Sequence, residues 1–161
     1  MSMSEAPHAA EIGARLREIV AAHARLDGPL LPILHAVQAE WGHVPRSAIA
    51  PLADALNLTT AEVHGVVSFY HDFRDAPAGR HLLKVCRAEA CQARGGRGIE
   101  DSARDRLGIE FGETTPDGAV TLEPVYCLGL CACGPAAMLD GTLHARLDSD
   151  RLDALLAECG A

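Results

Sequence analysis

Apolar positions in the first half of the chain recur at helical spacing, and in the second half the period shortens towards two. Ile12, Leu16, Ile19, Val20 and Leu26 are interleaved with Glu11, Arg15, Arg17, Glu18 and Arg25, which reads as an amphipathic helix stopped by Gly28-Pro29. Leu30, Ile33, Leu34, Val37 and Trp41 predict a second helix, ended by Gly42 as a left-handed cap. Ser47 is the expected cap of a third, with Pro51 in its first turn, where a missing N–H is tolerated, and Asn57 at its end. Thr59-Thr60-Ala61-Glu62 has the spacing of a capping box, so a fourth helix should begin there and run to about Tyr70.

After Asp75-Ala76-Pro77-Ala78-Gly79 the pattern changes. His81 to Cys86 is a short apolar run, Gly98 to Leu107 reads as a helix, and Val120 to Tyr126 alternates like a strand after the turn Pro116-Asp117-Gly118. Ala136 to Leu139 and Thr142 to Leu147 flank Asp140-Gly141, a two-residue hairpin signal, and a further strand is expected near Ile109 to Phe111. Asp148 or Ser149 would cap a last helix through Leu152, Leu155 and Leu156. The change of period places a domain boundary near Gly79, giving a helical domain over 1–79 and an α/β domain over 80–161.

A chain of 161 residues, 48% of them hydrophobic, can build a substantial core. Its formal charge of -8 argues against nucleic acid as a partner, because DNA binding rests on a surplus of Lys and Arg. The stretch "LADALNLTTAEVHGVVSFY" has the rhythm of a helix-turn-helix, yet its candidate recognition helix contains neither Lys nor Arg. The N-terminal "MSMSEAPHAAEIG" lacks the positive flank and apolar run of a signal peptide, and no stretch is long and uncharged enough to span a bilayer, so a cytoplasmic location is expected. In a reducing compartment six cysteines read as metal ligands or redox groups before disulfides.

Cys86 and Cys91 form a Cys-x4-Cys pair directly after the first strand, and Cys127 and Cys131 a Cys-x3-Cys pair after a later one. If those strands run parallel as neighbours, their ends share one sheet edge and four thiolates converge from two loops. Soft sulfur ligands select among zinc, copper(I) and iron-sulfur clusters. The spacings are wider than most zinc knuckles and favour a [2Fe-2S] cluster, a zinc-stabilised interaction module being the alternative. Gly129, with Gly95, Gly96 and Gly98, would let backbone amides approach sulfur. Arg87, Arg94 and Arg97 would either ease reduction of a negatively charged centre or solvate a loop. A thiol enzyme built on Cys131-Ala132-Cys133 is disfavoured, since the spacing is not Cys-x-x-Cys and a ligand is no free nucleophile. Cys133 is left over, though Cys-x5-Cys would also reach a metal, and Cys159 reads as a bystander. His64 and His71 suit an interface or helix end better than a ligand pair. His81 could tune the centre by hydrogen bonding, and Trp41, Phe69, Tyr70 and Phe73 read as core or subunit contacts.

The runs "GRHLLKVCRAEACQARGG" and "EPVYCLGLCACGPAAMLDG", preceded by "LLPILHAVQAEWGHVP" and "TTAEVHGVVSFYHDF", resemble the thioredoxin-like [2Fe-2S] ferredoxin subunit of NADH dehydrogenases, the 24 kDa subunit family. Within it they are most similar to the gamma subunit of NAD-dependent molybdenum formate dehydrogenases. The resemblance runs from about Leu30 to Gly141. It implies an α/β fold, an N-terminal helical bundle followed by a thioredoxin-like mixed β-sheet flanked by helices. It also implies one [2Fe-2S] cluster on Cys86, Cys91, Cys127 and Cys131, and a cis peptide bond before Pro135. The function it implies is that of a non-catalytic electron-transfer subunit of an oxidoreductase. The implied partners are an FMN- and NAD-binding flavoprotein subunit and a large molybdenum-containing catalytic subunit. The equivalent subunit of an NADH:quinone oxidoreductase or an NAD-reducing hydrogenase is the alternative within the family. NAD itself should not bind here, since "GGRG" does not match the dinucleotide fingerprint.

Overall fold

The structure, a computed structural model, describes residues 9–160, with side chains from residue 12; most of the N-terminal segment read above for a targeting signal lies outside them. The chain divides into two compact units, Met1–Pro77 and Ala78–Ala161.

The first unit contains α1 (Ala9–His23), α2 (Leu30–Trp41), α3 (Arg46–Leu56) and α4 (Thr60–Phe69). Leu16, Ile19, Ile33, Leu34, Val37, Leu52 and Val63 meet in its core, as the helical spacing predicts. Two expectations need correction. α1 stops at His23, not at Gly28. There the backbone tightens, Leu26 N–H reaching back only to the His23 carbonyl at 3.1 Å, and Leu26 is left 47% exposed. α3 is preceded by Pro45, whose extended backbone (φ -62°, ψ 138°) lets the helix begin at Arg46; Ser47 lies inside it, and Pro51 falls beyond the first turn. The capping box at Thr59 forms as expected. Thr59 Oγ1 accepts from the Glu62 N–H at 3.2 Å, and Glu62 Oε2 accepts from the Thr59 N–H at 2.7 Å. These bonds from Thr59, backbone first and then hydroxyl, hold the Glu62 carboxyl below its ordinary pKa.

The second unit runs β1 (His81–Cys86), α5 (Glu89–Gln92), α6 (Gly96–Leu107), β2 (Val120–Val125), a 3-10 turn (Cys131–Cys133), β3 (Ala136–Leu139), β4 (Thr142–Ala145) and α7 (Ser149–Glu158). Among the described residues four strands form one mixed sheet in the order β2-β1-β3-β4, with β1 parallel to β2 and the other pairs antiparallel. Leu83, Val85, Leu122 and Leu139 share one core cluster with Ile99, Ala103 and Leu107 of α6 and Leu152, Leu155 and Leu156 of α7. Alternation turns Lys84 and Cys86 the other way. Lys84 is buried, and its Nζ meets Glu123 Oε2 at 3.3 Å across β1 and β2. Pro124 is tolerated because β2 is an edge strand.

Asp140 (φ 48°) and Gly141 (φ 85°) both take positive φ in the hairpin turn, and the Asp148 carboxylate accepts from Arg151 N–H at 2.9 Å to cap α7. The strand expected at Ile109 to Phe111 is absent. Glycines in left-handed conformations, Gly108 and Gly112, bracket that segment and turn it, leaving Thr114 in an isolated bridge to Thr121. α6 starts two residues earlier than expected, at Gly96, and β4 ends at Ala145, where Arg146 adopts φ 52°.

Candidate metal centre

The parallel pairing of β1 and β2 sets Cys86 opposite Val125, so the chain leaves both strands on the same sheet edge. Arg87 N–H donates to the Val125 carbonyl at 2.8 Å and carries the pairing one residue further. α5, a single helical turn, brings Cys91 back to Cys86. Both cysteines are buried, at 2% and 1% exposure, in a small apolar cluster with Ala136, Ala88, Val125, Leu128 and Leu130. Burial first, then the hydrogen bond and charge of Cys86, push the Cys91 thiol up to about 11, against the opposing effect of the Ala136 amide.

The second pair is exposed. Cys127 sits at φ 125°, a sparsely populated backbone region for a non-glycine residue, and Cys131 opens the 3-10 turn. Their sulfurs lie 3.6 Å apart. The Gly129 N–H donates to Cys127 Sγ at 3.4 Å, and this bond, followed by that to Cys131, lowers the Cys127 thiol pKa. Cys131 is raised, first by its hydrogen bond with Cys127 and then by that neighbour's charge, and it feels Cys86 across the site as Cys91 feels Cys131. Four of the cysteines singled out in the sequence therefore meet at one edge as two pairs.

The donors suit a sulfur-ligated cluster. Two thiolates about 2.3 Å from one tetrahedral metal stand about 3.8 Å apart, close to the 3.6 Å between Cys127 and Cys131. A binuclear iron centre needs two such pairs. Among the described residues no group of three or more His, Cys, Asp or Glu side chains is arranged around a single metal ion. The backbone closes tightly on Cys91: a Cβ at Gly134 would stand 3.1 Å from its sulfur, and one at Gly96 would stand 2.7 Å from its carbonyl oxygen. The Gly134–Pro135 bond is cis.

Other expectations fare unevenly. Gly129 donates to sulfur, but the Gly95 and Gly98 amides go to the Gln92 and Gly95 carbonyls. Each arginine near the first pair binds the site's own scaffold. Arg94 Nε reaches the Gly134 carbonyl at 3.1 Å, Arg97 Nε reaches Gln92 Oε1 at 3.2 Å, and Arg87 Nε reaches Glu100 Oε2 at 2.9 Å. His81 is at the far end of β1 from Cys86, with Nδ1 2.7 Å from Asp140 Oδ2, so it does not touch the thiols. His64 and His71 are exposed and line a cavity of about 340 Å³ in the first unit with Val44, Arg46 and Phe73. Phe73 is buried and Trp41 packs on the core, whereas Phe69 and Tyr70 are exposed. Cys133 is half-buried, and Cys159, the residue that follows α7, is buried with its thiol donating to the Leu155 carbonyl. Glu100 escaped the sequence reading. The signal for it was its place on α6 among Gly96, Ile99, Ala103 and Leu107, on the face that turns inward.

Comparison with known proteins identifies relatives over most of the chain. The profile of the family described as thioredoxin-like [2Fe-2S] ferredoxin matches residues 16–160. The E subunit of the NADH-quinone oxidoreductase of Escherichia coli (strain K12) is 39% identical over 123 residues, which is 76% of this chain and 74% of that protein. A second relative, the E 2 subunit of the NADH-quinone oxidoreductase of Rhizobium meliloti (strain 1021), is 38% identical over 142 residues, 86% and 84% of the two chains. The crystal structure of an NAD+-reducing [NiFe]-hydrogenase in the H2-reduced state superposes with a TM-score of 0.70 at 27% identity. That match covers 81% of this chain and 22% of the hydrogenase chain, so this protein spans about a fifth of its length. Among the described residues no helix is long and apolar enough to cross a membrane. Because the family match runs through both units, and not only the cysteine region, the chain belongs to the thioredoxin-like [2Fe-2S] ferredoxin family, whose cofactor is one [2Fe-2S] cluster.

Proposed function

We propose that Cys86, Cys91, Cys127 and Cys131 are the four cluster ligands, and that the chain is an electron-transfer subunit of a cytoplasmic NAD-linked complex. The observation that carries this reading is the convergence of the two thiol pairs at the shared end of β1 and β2. When bound, the cluster supplies one-electron oxidation and reduction. Cys86 and Cys91 would hold it with buried thiols that exclude water, and Cys127 and Cys131 with thiols exposed to a partner. The Gly129 amide withdraws charge from the Cys127 sulfur, an influence that tunes such centres. The ferredoxin function falls to residues 80–161 and a docking role to the helices of 1–79.

The parent complex is a formate dehydrogenase, in which the partners are an FMN- and NAD-binding flavoprotein subunit and a large molybdenum-containing subunit. The support is the resemblance of the two cysteine runs. A second reading, the equivalent subunit of an NADH:quinone oxidoreductase or NAD-reducing hydrogenase, is favoured by the NADH-quinone oxidoreductase relatives and by the hydrogenase superposition. Purification of the native complex separates these readings. Molybdenum and FMN travelling with the chain are expected; nickel, or a quinone-reducing activity, would move the assignment to the second reading. Iron and sulfide analysis with EPR of the dithionite-reduced chain tests the cluster, and zinc held by the four thiols without iron would overturn it.

A further inference from the structure

A buried carboxylate stands behind the first cysteine pair. Glu100 of α6 is 6% exposed, and its two oxygens go to different partners. Oε2 accepts from Arg87 Nε at 2.9 Å, and Oε1 accepts from Gln92 Nε2. Arg87 is the residue after Cys86, and Gln92 is the residue after Cys91. One carboxylate thus holds the side chains of the two residues that directly follow the thiols.

The surroundings leave this clamp little freedom. The Arg87 guanidinium also lies over the Phe111 ring, 5.0 Å from its centre. Gln92 Oε1 accepts from Arg97 Nε at 3.2 Å, so the amide oxygen faces a cation and its nitrogen faces the carboxylate. At the start of α6, Gly96 sits so close to the Cys91 carbonyl that no Cβ fits, which docks the helix carrying Glu100 directly onto the turn carrying Cys91. A carboxylate at this depth is costly unless paired and hydrogen-bonded. The bonds that offset that cost are the ones that fix the neighbours of Cys86 and Cys91.

We propose that Glu100 is a positioning residue for the cluster, fixing the separation of Cys86 and Cys91 through the residue that follows each. The inference rests on Cys86 and Cys91 being ligands. Groups that orient metal ligands in this way change metal affinity by about 10- to 100-fold when removed.

The test uses the full chain loaded with its cluster. Glu100→Ala should release iron to a chelator about 10-fold faster or more, alter the EPR spectrum of the reduced chain, and shift the midpoint potential upward, because a negative charge leaves while Arg87 stays. Glu100→Gln keeps size and one acceptor, so it should shift the potential the same way while nearly preserving line shape and iron retention. A purely structural role would lower the melting temperature and leave potential and spectrum alone. Wild-type iron release, spectrum and potential in Glu100→Ala would therefore overturn the proposal. If that variant does not fold, Arg87→Met and Gln92→Leu each remove one arm. Their effects on potential should combine less than additively with Glu100→Gln, and strict additivity would also sink the idea. Cys86→Ser and Cys91→Ser variants that retained an unchanged cluster would refute the ligand assignment instead, whatever Glu100 does.

Discussion

The two cysteine pairs share a sheet edge but are built by different means. Cys86 and Cys91 are core residues, placed by the end of a strand and a helical turn, with α6 packed behind them. Cys127 and Cys131 lie exposed on a loop whose shape comes from local backbone, with Cys127 at φ 125°, Gly129 at φ 77° and an amide-to-sulfur bond between them. One pair is thus held by tertiary packing and the other by local conformation. Damage to the first should spread into the fold, and damage to the second should stay at the site.

The ligand substitutions press hardest on that contrast. Cys86→Ala or Cys91→Ala should abolish iron binding, read as iron per chain and loss of the EPR signal. Cys131→Ala should lose the cluster or leave a distorted one held by Cys133, while Cys133→Ala keeps it whole; equal loss from both would place Cys133 among the ligands. In the iron-free chain, alkylation followed by mass spectrometry should label Cys127 and Cys131 well before Cys86 and Cys91, following their exposure. Simultaneous labelling would mean that the buried pair depends on the cluster for its packing.

Glycine substitutions sharpen the difference further. Gly96→Ala forces a methyl group against the Cys91 carbonyl and should cost about 1–3 kcal/mol in denaturant unfolding. Gly129→Ala meets open space and pays only for its positive φ, about 1–2 kcal/mol, with the signature expected in the spectrum of the cluster more than in the core. The smallest effect belongs outside both pairs. Thr59→Ala removes the cap of α4 and should cost about 1 kcal/mol without changing the EPR signal. Because the Glu62 carboxyl is held below its ordinary pKa, its contribution is present above the unfolded-state value and fades as pH falls through the folded one. The Thr59→Ala variant should therefore show a flatter acid-side loss of stability than the parent.

Much of this architecture was legible where a signal is local or periodic. The Thr59 box, the Asp140-Gly141 turn and the inward faces of α2 and α7 each depend on residues within a turn or two of one another. The meeting of the two pairs was legible only as a condition, since parallel neighbours are joined through a helix and nothing adjacent in sequence declares them. α5 is too short to show a period. Ser47 and Pro45 both suit the start of α3, and the extended backbone imposed by Pro45 decided between them. Glu100 was hidden by its own chemistry. A carboxylate is read as solvated unless the partners that bury it are known, and here they come from two other stretches of chain.

The Lys84–Glu123 pair bears on how faithfully the strands find each other. Side chains alternate with a period of two, so a slip of β1 against β2 by two residues would return every side chain to its own face and escape the apolar pattern. It would displace Cys86 from the second loop by about 7 Å. In that misalignment Lys84 would face Val125 and Glu123 would face Leu82, separating a buried ammonium from its half-buried carboxylate partner. The ion pair thus works as an alignment mark between strands, penalising the one error that hydrophobic patterning alone would forgive.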